Sequence, residues 1–223
     1  MKVLLIKFNE KNMKKTFLLL LFIFSINSVF ADSPLTSTDF GNAYLDIPIV
    51  QKAFVSKGSI TNEMMDYIDD DANPLDIKLA IINSLGWEHK GVVLSKIFLM
   101  YVMKKKNYQS EYNNDYLAFK YYATRDELIC YAYMKALDNY FDVVEAFEIA
   151  GDALRKSPDS FAVNMIYNLI KAQGLTAYGE YCYSSQLFLS LKVNPKLKMD
   201  MRKESMSYVF EYMTSIGDNC KKD

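Results

Sequence analysis

Apolar residues recur along most of this chain at the spacing of an α-helix. Leu128, Ile129, Ala132, Tyr133, Ala136 and Leu137 fall at i, i+1, i+4, i+5, i+8 and i+9, which draws a wide apolar stripe along one helix face. Val143, Phe147, Ala150 and Leu154 repeat the pattern at i, i+4, i+7 and i+11. Leu197, Met201, Tyr208, Tyr212 and Met213 predict a long final helix over 196–216. Boundaries are written as well. Asn73-Pro74 reads as an N-cap followed by proline at the first helical position, and Gly86 ends that helix. Ser157-Pro158 and Asn194-Pro195 each separate two helices. The pattern predicts helices over 47–57, 60–70, 74–85, 92–105, 112–123, 125–138, 142–156, 160–173, 177–192 and 196–216. Val92, Val93, Ile97 and Val102 are β-branched, but a strand over 92–105 would have no partner strand. Eight glycines and five prolines are too few to punctuate a strand protein. Residues 32–45 are expected to form an extended lead-in. The expected fold is all-α, with antiparallel helical hairpins stacked as a short α-solenoid or a compact bundle.

One hairpin carries a family pattern. Ala146, Ala150, Ala153 and Pro158 are spaced 4, 3 and 5 apart. With the helix over 125–138 before it, this segment resembles one tetratricopeptide unit spanning 125–158. The small residue of that unit's first helix is replaced by Met134, and Pro195 lies 37 residues beyond Pro158 rather than 34. The resemblance implies helical-hairpin stacking and a peptide-binding surface.

The N-terminus reads as an export signal. Met13-Lys14-Lys15 precedes an apolar run, and Val29-Phe30-Ala31 supplies small residues at the positions a signal peptidase reads. The strictly apolar stretch over 17–24 is eight residues, well short of the roughly 20 that span a bilayer. Asp32, not cysteine, follows the cut, so no lipoprotein is expected. Met13 gives a signal of ordinary length, with Met1 as the alternative start. Residues 1–31 are thus assigned to a signal peptide and 32–223 to a single helical domain. The localisation that follows is periplasmic or extracellular, with no stable membrane insertion after cleavage.

Charge narrows the partners. Without residues 1–31 the chain keeps 21 basic and 26 acidic side chains, a net of −5 with histidine neutral. Such a surface does not attract nucleic acid. Lys104-Lys105-Lys106 is expected to sit at a helix C-terminus, where the dipole favours cations. Cys130, Cys182 and Cys220 allow one disulfide in three possible pairings, and no CxxC redox or zinc half-site occurs.

Candidate chemistry is thin. His89, the only histidine, lies in Gly86-Trp87-Glu88-His89-Lys90-Gly91 beside the only tryptophan. As a general base it would need Glu88 to orient it, but adjacent residues rarely face the same way, and no nucleophile or metal partner neighbours it. Asp69-Asp70-Asp71-Ala72-Asn73 opens like a calcium loop, but Pro74 and Ala80 stand where the glycine and the bidentate glutamate belong. The run is expected to be a solvated acidic turn. No GxSxG, HExxH, SxxK or phosphate-binding loop occurs. No catalytic residue, metal ligand or cofactor is therefore assigned. The chain has 17 tyrosines, and an excess of tyrosine suits an interface. Trp87, His89, Tyr178, Tyr181 and Tyr183 are the candidate binding residues.

The function these features favour is non-enzymatic: an exported helical protein of the bacterial envelope that binds a protein or peptide, with a toxin-blocking immunity protein as one concrete form. The rival is an envelope enzyme acting on cell-wall or sugar polymers through carboxylates. The export signal yields a direct expectation. N-terminal sequencing of the exported protein should begin Asp32-Ser33-Pro34; retention of the apolar run in a membrane fraction would contradict it.

Overall fold

The computed structural model of the chain describes residues 33–87, 91–108 and 114–218. The predicted export segment lies outside them, as do His89 and Cys220. The described residues form ten α-helices and a short 3-10 helix, Phe40–Tyr44, with no strand among them. Helices α1 (Pro48–Ser56), α2 (Asn62–Asp69), α3 (Leu75–Leu85), α4 (Leu94–Lys106) and α5 (Asp115–Tyr122) are followed by the central α6 (Arg125–Asp138). Helices α7 (Val144–Lys156), α8 (Phe161–Thr176), α9 (Tyr181–Lys192) and α10 (Lys203–Gly217) complete the order. The all-α class expected from periodicity is the class observed, and the β-branched segment at 92–105 is helical. No helix among the described residues is long and apolar enough to cross a membrane.

Local chemistry explains the boundaries. The Thr61 hydroxyl accepts from Met64 N, and the Asn114 side chain accepts from Tyr116 N and Leu117 N, so α5 starts three residues later than its apolar pattern predicts. Thr124 and Glu127 form a reciprocal capping box at α6. Gly86, at φ 78°, ends α3 as expected. Pro74 occupies the N-cap of α3, while the Asn73 amide donates to Tyr67 O instead of capping.

Three expectations need correction. The apolar stripe of α6 is not one face: 11 of its 14 residues are buried, because α2, α3, α4, α7 and α8 all pack around it. The last helix begins at Lys203, not 196. Residues 196–202 run alongside the start of α8, where Phe161 N donates to Lys198 O and the Asp200 carboxylate accepts from Ala162 N and Ser160 Oγ. Met201 is buried from this irregular segment, so its place in the helical spacing is fortuitous. Third, the segment over 32–45 is no lead-in. Leu35, Phe40 and Tyr44 are buried in the core, and the turn packs against both α3 and α10.

That N-terminal turn ties the two ends of the fold together. The Tyr44 hydroxyl donates to Asp76 at 2.9 Å and accepts from Arg202 N at 3.1 Å. The Arg202 guanidinium lies 4.7 Å from the Tyr44 ring centroid, donates to Ala43 O and grips Asp46 through both terminal nitrogens. Gly41 permits the close approach. A Cβ there would stand 2.4 Å from Ser84 Oγ and 3.0 Å from Ala80 O. Gly41→Ala should therefore cost about 1–3 kcal/mol of stability, the scale of overpacking. Gly151→Ala, inside α7 with its nearest neighbours at 3.7 and 3.9 Å, should instead stabilise by up to about 1 kcal/mol. Urea unfolding of the two variants beside the parent checks both signs.

Candidate functional site

Three pieces of backbone converge beside Trp87. The segment before the 3-10 helix is fixed to the end of α3 through Asn83, whose Oδ1 accepts from Gly41 N at 2.7 Å. Its Nδ2 contacts Thr38 O at 3.0 Å and the Tyr133 hydroxyl at 2.8 Å. From α1, the C-cap Lys57 adopts a left-handed conformation and lays its ammonium 5.1 Å from the Phe54 ring centroid. Beyond Gly86 the chain turns and Trp87 packs edge-on against Tyr140, with centroids 5.6 Å apart at 78°. Tyr140 O accepts from the Gln173 amide, whose carbonyl accepts from Leu35 N. The result is an open cleft of about 470 Å³ whose walls include Asp39, Asn42, Phe54, Lys57, Ser84 and Trp87. Partial burial raises the Asp39 carboxyl above the ordinary aspartate range.

The candidate tyrosines lie elsewhere. Tyr178 sits in the turn after α8 and is 87% exposed; Tyr181 and Tyr183 open α9 and are 49% and 45% exposed. Lys171 places its ammonium 5.4 Å from the Tyr183 ring centroid. None of the three lines the Trp87 cleft. The sequence candidates thus divide into a cleft holding Trp87 and a surface holding the three tyrosines, with His89 outside the described residues. Asp39, Asn42 and Ser84 carried no sequence signal, because ordinary polar residues scattered over 46 positions become neighbours only through folding.

Of the cysteines, Cys182 is disulfide-bonded. Cys130 is a free buried thiol that burial pushes well above the usual range, so pairings through Cys130 are excluded. Among the described residues, no group of three or more histidine, cysteine, aspartate or glutamate side chains could hold a metal ion.

A charge cluster stands in place of the expected solvated acidic turn. Asp69 is 4% exposed, and its carboxylate pairs with Lys105 at 3.1 Å and Lys106 at 3.3 Å. Lys106 also reaches Glu127 at 2.7 Å, and Lys105 reaches Asp66 at 3.0 Å. Tyr101 and Tyr108 donate to Asp66 and Glu127 respectively. The lysine run does end α4, as the helix dipole favours, but its second and third members are held by acids of α2 and α6. Asp70 and Asp71 remain exposed.

Comparison with protein-family models, curated proteins and solved structures finds no match.

The charge cluster sets an alkaline limit on stability. Burial works to lower Lys105 and Lys106, but hydrogen bonds to Asp66 and Glu127 and the surrounding negative charge raise both above the ordinary lysine range. Stability from a raised lysine is complete below its unfolded value and is lost as pH climbs through the folded value. Tyr108 and Tyr116, pushed up to about 12 first by burial and then by nearby carboxylates, act with the same sign. The urea midpoint should hold steady at neutral pH and fall above about pH 10, where unfolded lysine and tyrosine begin to lose their protons. A midpoint unchanged into strong alkali would contradict the assignment.

Proposed function

We propose that this chain is an exported, non-enzymatic binding protein of the bacterial cell envelope that presents an aromatic helical surface to a protein or peptide. An inhibitor of the immunity type is the concrete form. The observation that carries the reading is the exposure of Tyr178, Tyr181 and Tyr183 at one turn of the fold. Leu189, further along α9, and Val193, just past its end, stand 53% and 76% exposed. Tyrosine offers a large apolar body and a polar tip at low entropic cost, which is the composition of binding surfaces. The resemblance of 125–158 to a tetratricopeptide unit points the same way.

The carboxylate-enzyme reading has less support. Glycoside hydrolysis needs two carboxyls about 5–10 Å apart beside a seated sugar. In the acid-lined groove between the starts of α4 and α7, Asp138 accepts from Leu94 N and Ser95 N. Asp142 accepts from Val144 N, and Glu145 pairs with Lys135. Those three carboxylates hold helix ends and partner a lysine, while Glu148, the fourth acid of the groove, is exposed to solvent. The aromatic-lined cleft has Asp39 as its carboxylate among the described residues.

Copurification from a periplasmic fraction, followed by calorimetry with the captured partner, tests the proposal. Tyr181→Ala should cost on the order of 2 kcal/mol of affinity, the hot-spot scale. His89→Ala should leave affinity and melting point unchanged. Loss of a measurable turnover by about 10²-fold in His89→Ala, with the melting point intact, would reverse the ranking of the two functions.

A further inference from the structure

We propose that the outer face of α7, with the edge of α5 beside it, is the interface of a two-fold homodimer, so that the partner it fits is a second copy of this chain. The inference rests on the charge and shape of that face and not on the protein-binding reading. Helix α7 packs against α6 and α8. Its exposed residues Val144, Glu145, Glu148, Arg155 and Lys156 fall at i, i+1, i+4, i+11 and i+12, which places them on one stripe of the helix. The stripe changes sign along its length. Among the described residues, the groove at its start is lined by Asp138, Asp142, Glu145 and Glu148 against Lys135. The groove between α5 and the end of α7 is lined by Lys120, Arg155 and Lys156 against Asp152. Glu148 and Lys156, one from each end, form no ion pair among the described residues.

A face that is acidic at one end and basic at the other complements itself when reversed, which is the requirement of a two-fold contact. Two copies of α7 crossing antiparallel near Gly151 and Asp152 set the acidic half of each on the basic half of the other. With a helix rise of about 1.5 Å per residue, Glu148 and Arg155 lie roughly 5 Å on either side of that crossing, and Lys156 lies one residue beyond. Opposite charges therefore come into register twice. Apolar surface follows the same symmetry. Phe141 and Val144 stand exposed at the acidic end, and Leu117 and Tyr121 at the basic end, so each apolar pair approaches the other when the charges meet. Apolar burial supplies the attraction, and the charges fix the antiparallel register. Gly151 sits at the crossing. Glycine inside a helix is unfavourable beside alanine, and no steric contact in the described fold requires it: a Cβ would stand 3.7 Å from Arg155 and 3.9 Å from Tyr167. Its missing side chain lets two helices approach closely. Asp152, next to it, is neutralised by Lys120 at 3.1 Å and by Arg155, so bare like charges do not meet at the axis. A parallel pairing would set like charges face to face, and a partner of one sign would use only half of the face.

Sedimentation equilibrium of the purified exported protein tests the interface. Over about 1–100 µM, the range of modest affinities, the mass should rise from one chain to two and stop there. Salt at about 1 M should return the equilibrium towards monomer, because exposed charges are then screened within about 3 Å. Glu148→Lys and Lys156→Glu each bring like charges together at both symmetry-related contacts, so each variant alone should dimerise about tenfold or more weakly. Neither side chain has an ion-pair partner among the described residues, so both variants should keep the parent melting point. Mixing the two variants is the decisive arm. In a mixed pair one contact carries both reversed charges and the other carries the native two, so an equimolar mixture should recover the dimer mass. The proposal is overturned if the protein stays monomeric throughout the range, if the mass grows past two chains, if the variants associate as well as the parent, or if the mixture fails to recover the dimer. The measurement contains no other protein, so its failure is distinct from failure of the tyrosine surface to capture a partner.

Discussion

The structure depends on burying a helix whose first turn is charged. Helix α6 is enclosed by five others, and its Asp126 and Glu127 enter the interior with it. A carboxylate taken out of water needs cations and hydrogen bonds in return. Lys78, with a wholly buried side chain, meets Asp126 at 2.9 Å, with Arg125 on the other carboxylate oxygen. Lys106 meets Glu127, which also accepts from Thr124 N and Tyr108. Both acids lie where the helix dipole favours negative charge. Each lysine comes from a different helix, so α3 and α4 are indexed to α6 by charge as well as by shape. Removing one member would strand a buried charge, at a cost of about 3–5 kcal/mol.

The second constraint is the closure of the chain on itself. An open stack of hairpins would leave its first and last elements far apart. Here Tyr44 and Arg202 join the 3-10 helix to α10, which makes the arrangement a closed bundle. The same N-terminal segment forms one wall of the Trp87 cleft. The cleft is therefore a product of closure: its groups come from the 3-10 helix, the end of α1 and the end of α3. The tyrosine surface needs no such closure. It arises at one turn, where Gly179 at φ 80° separates α8 from α9 and leaves the aromatic rings outside the packing.

Helix content, most helix boundaries and the class of fold were legible in the sequence, because period-3.6 spacing and capping residues act over a few positions. Gly86 reads as a helix stop and is one by its backbone freedom; the starts expected near 125 and 160 are fixed by local hydrogen bonds of Thr124 with Glu127 and of Ser160, which the structure shows. Tyr178, Tyr181 and Tyr183 were legible as an aromatic cluster because they are close along the chain. Tertiary structure alone decided the rest. Asp69 reads as one member of a solvated acidic run, yet it is buried because two lysines over 30 residues away come to meet it. Leu35, Phe40 and Tyr44 read as a tail, yet they are core because α3 and α10 close over them. Helix α6 reads as amphipathic, yet its polar edge is buried once five helices surround it. The local code fixes where a helix starts and stops, since those energies involve neighbours in sequence. Which charges are buried, and which polar groups gather in a cleft, depends on pairs that only the packed chain brings within a few ångströms.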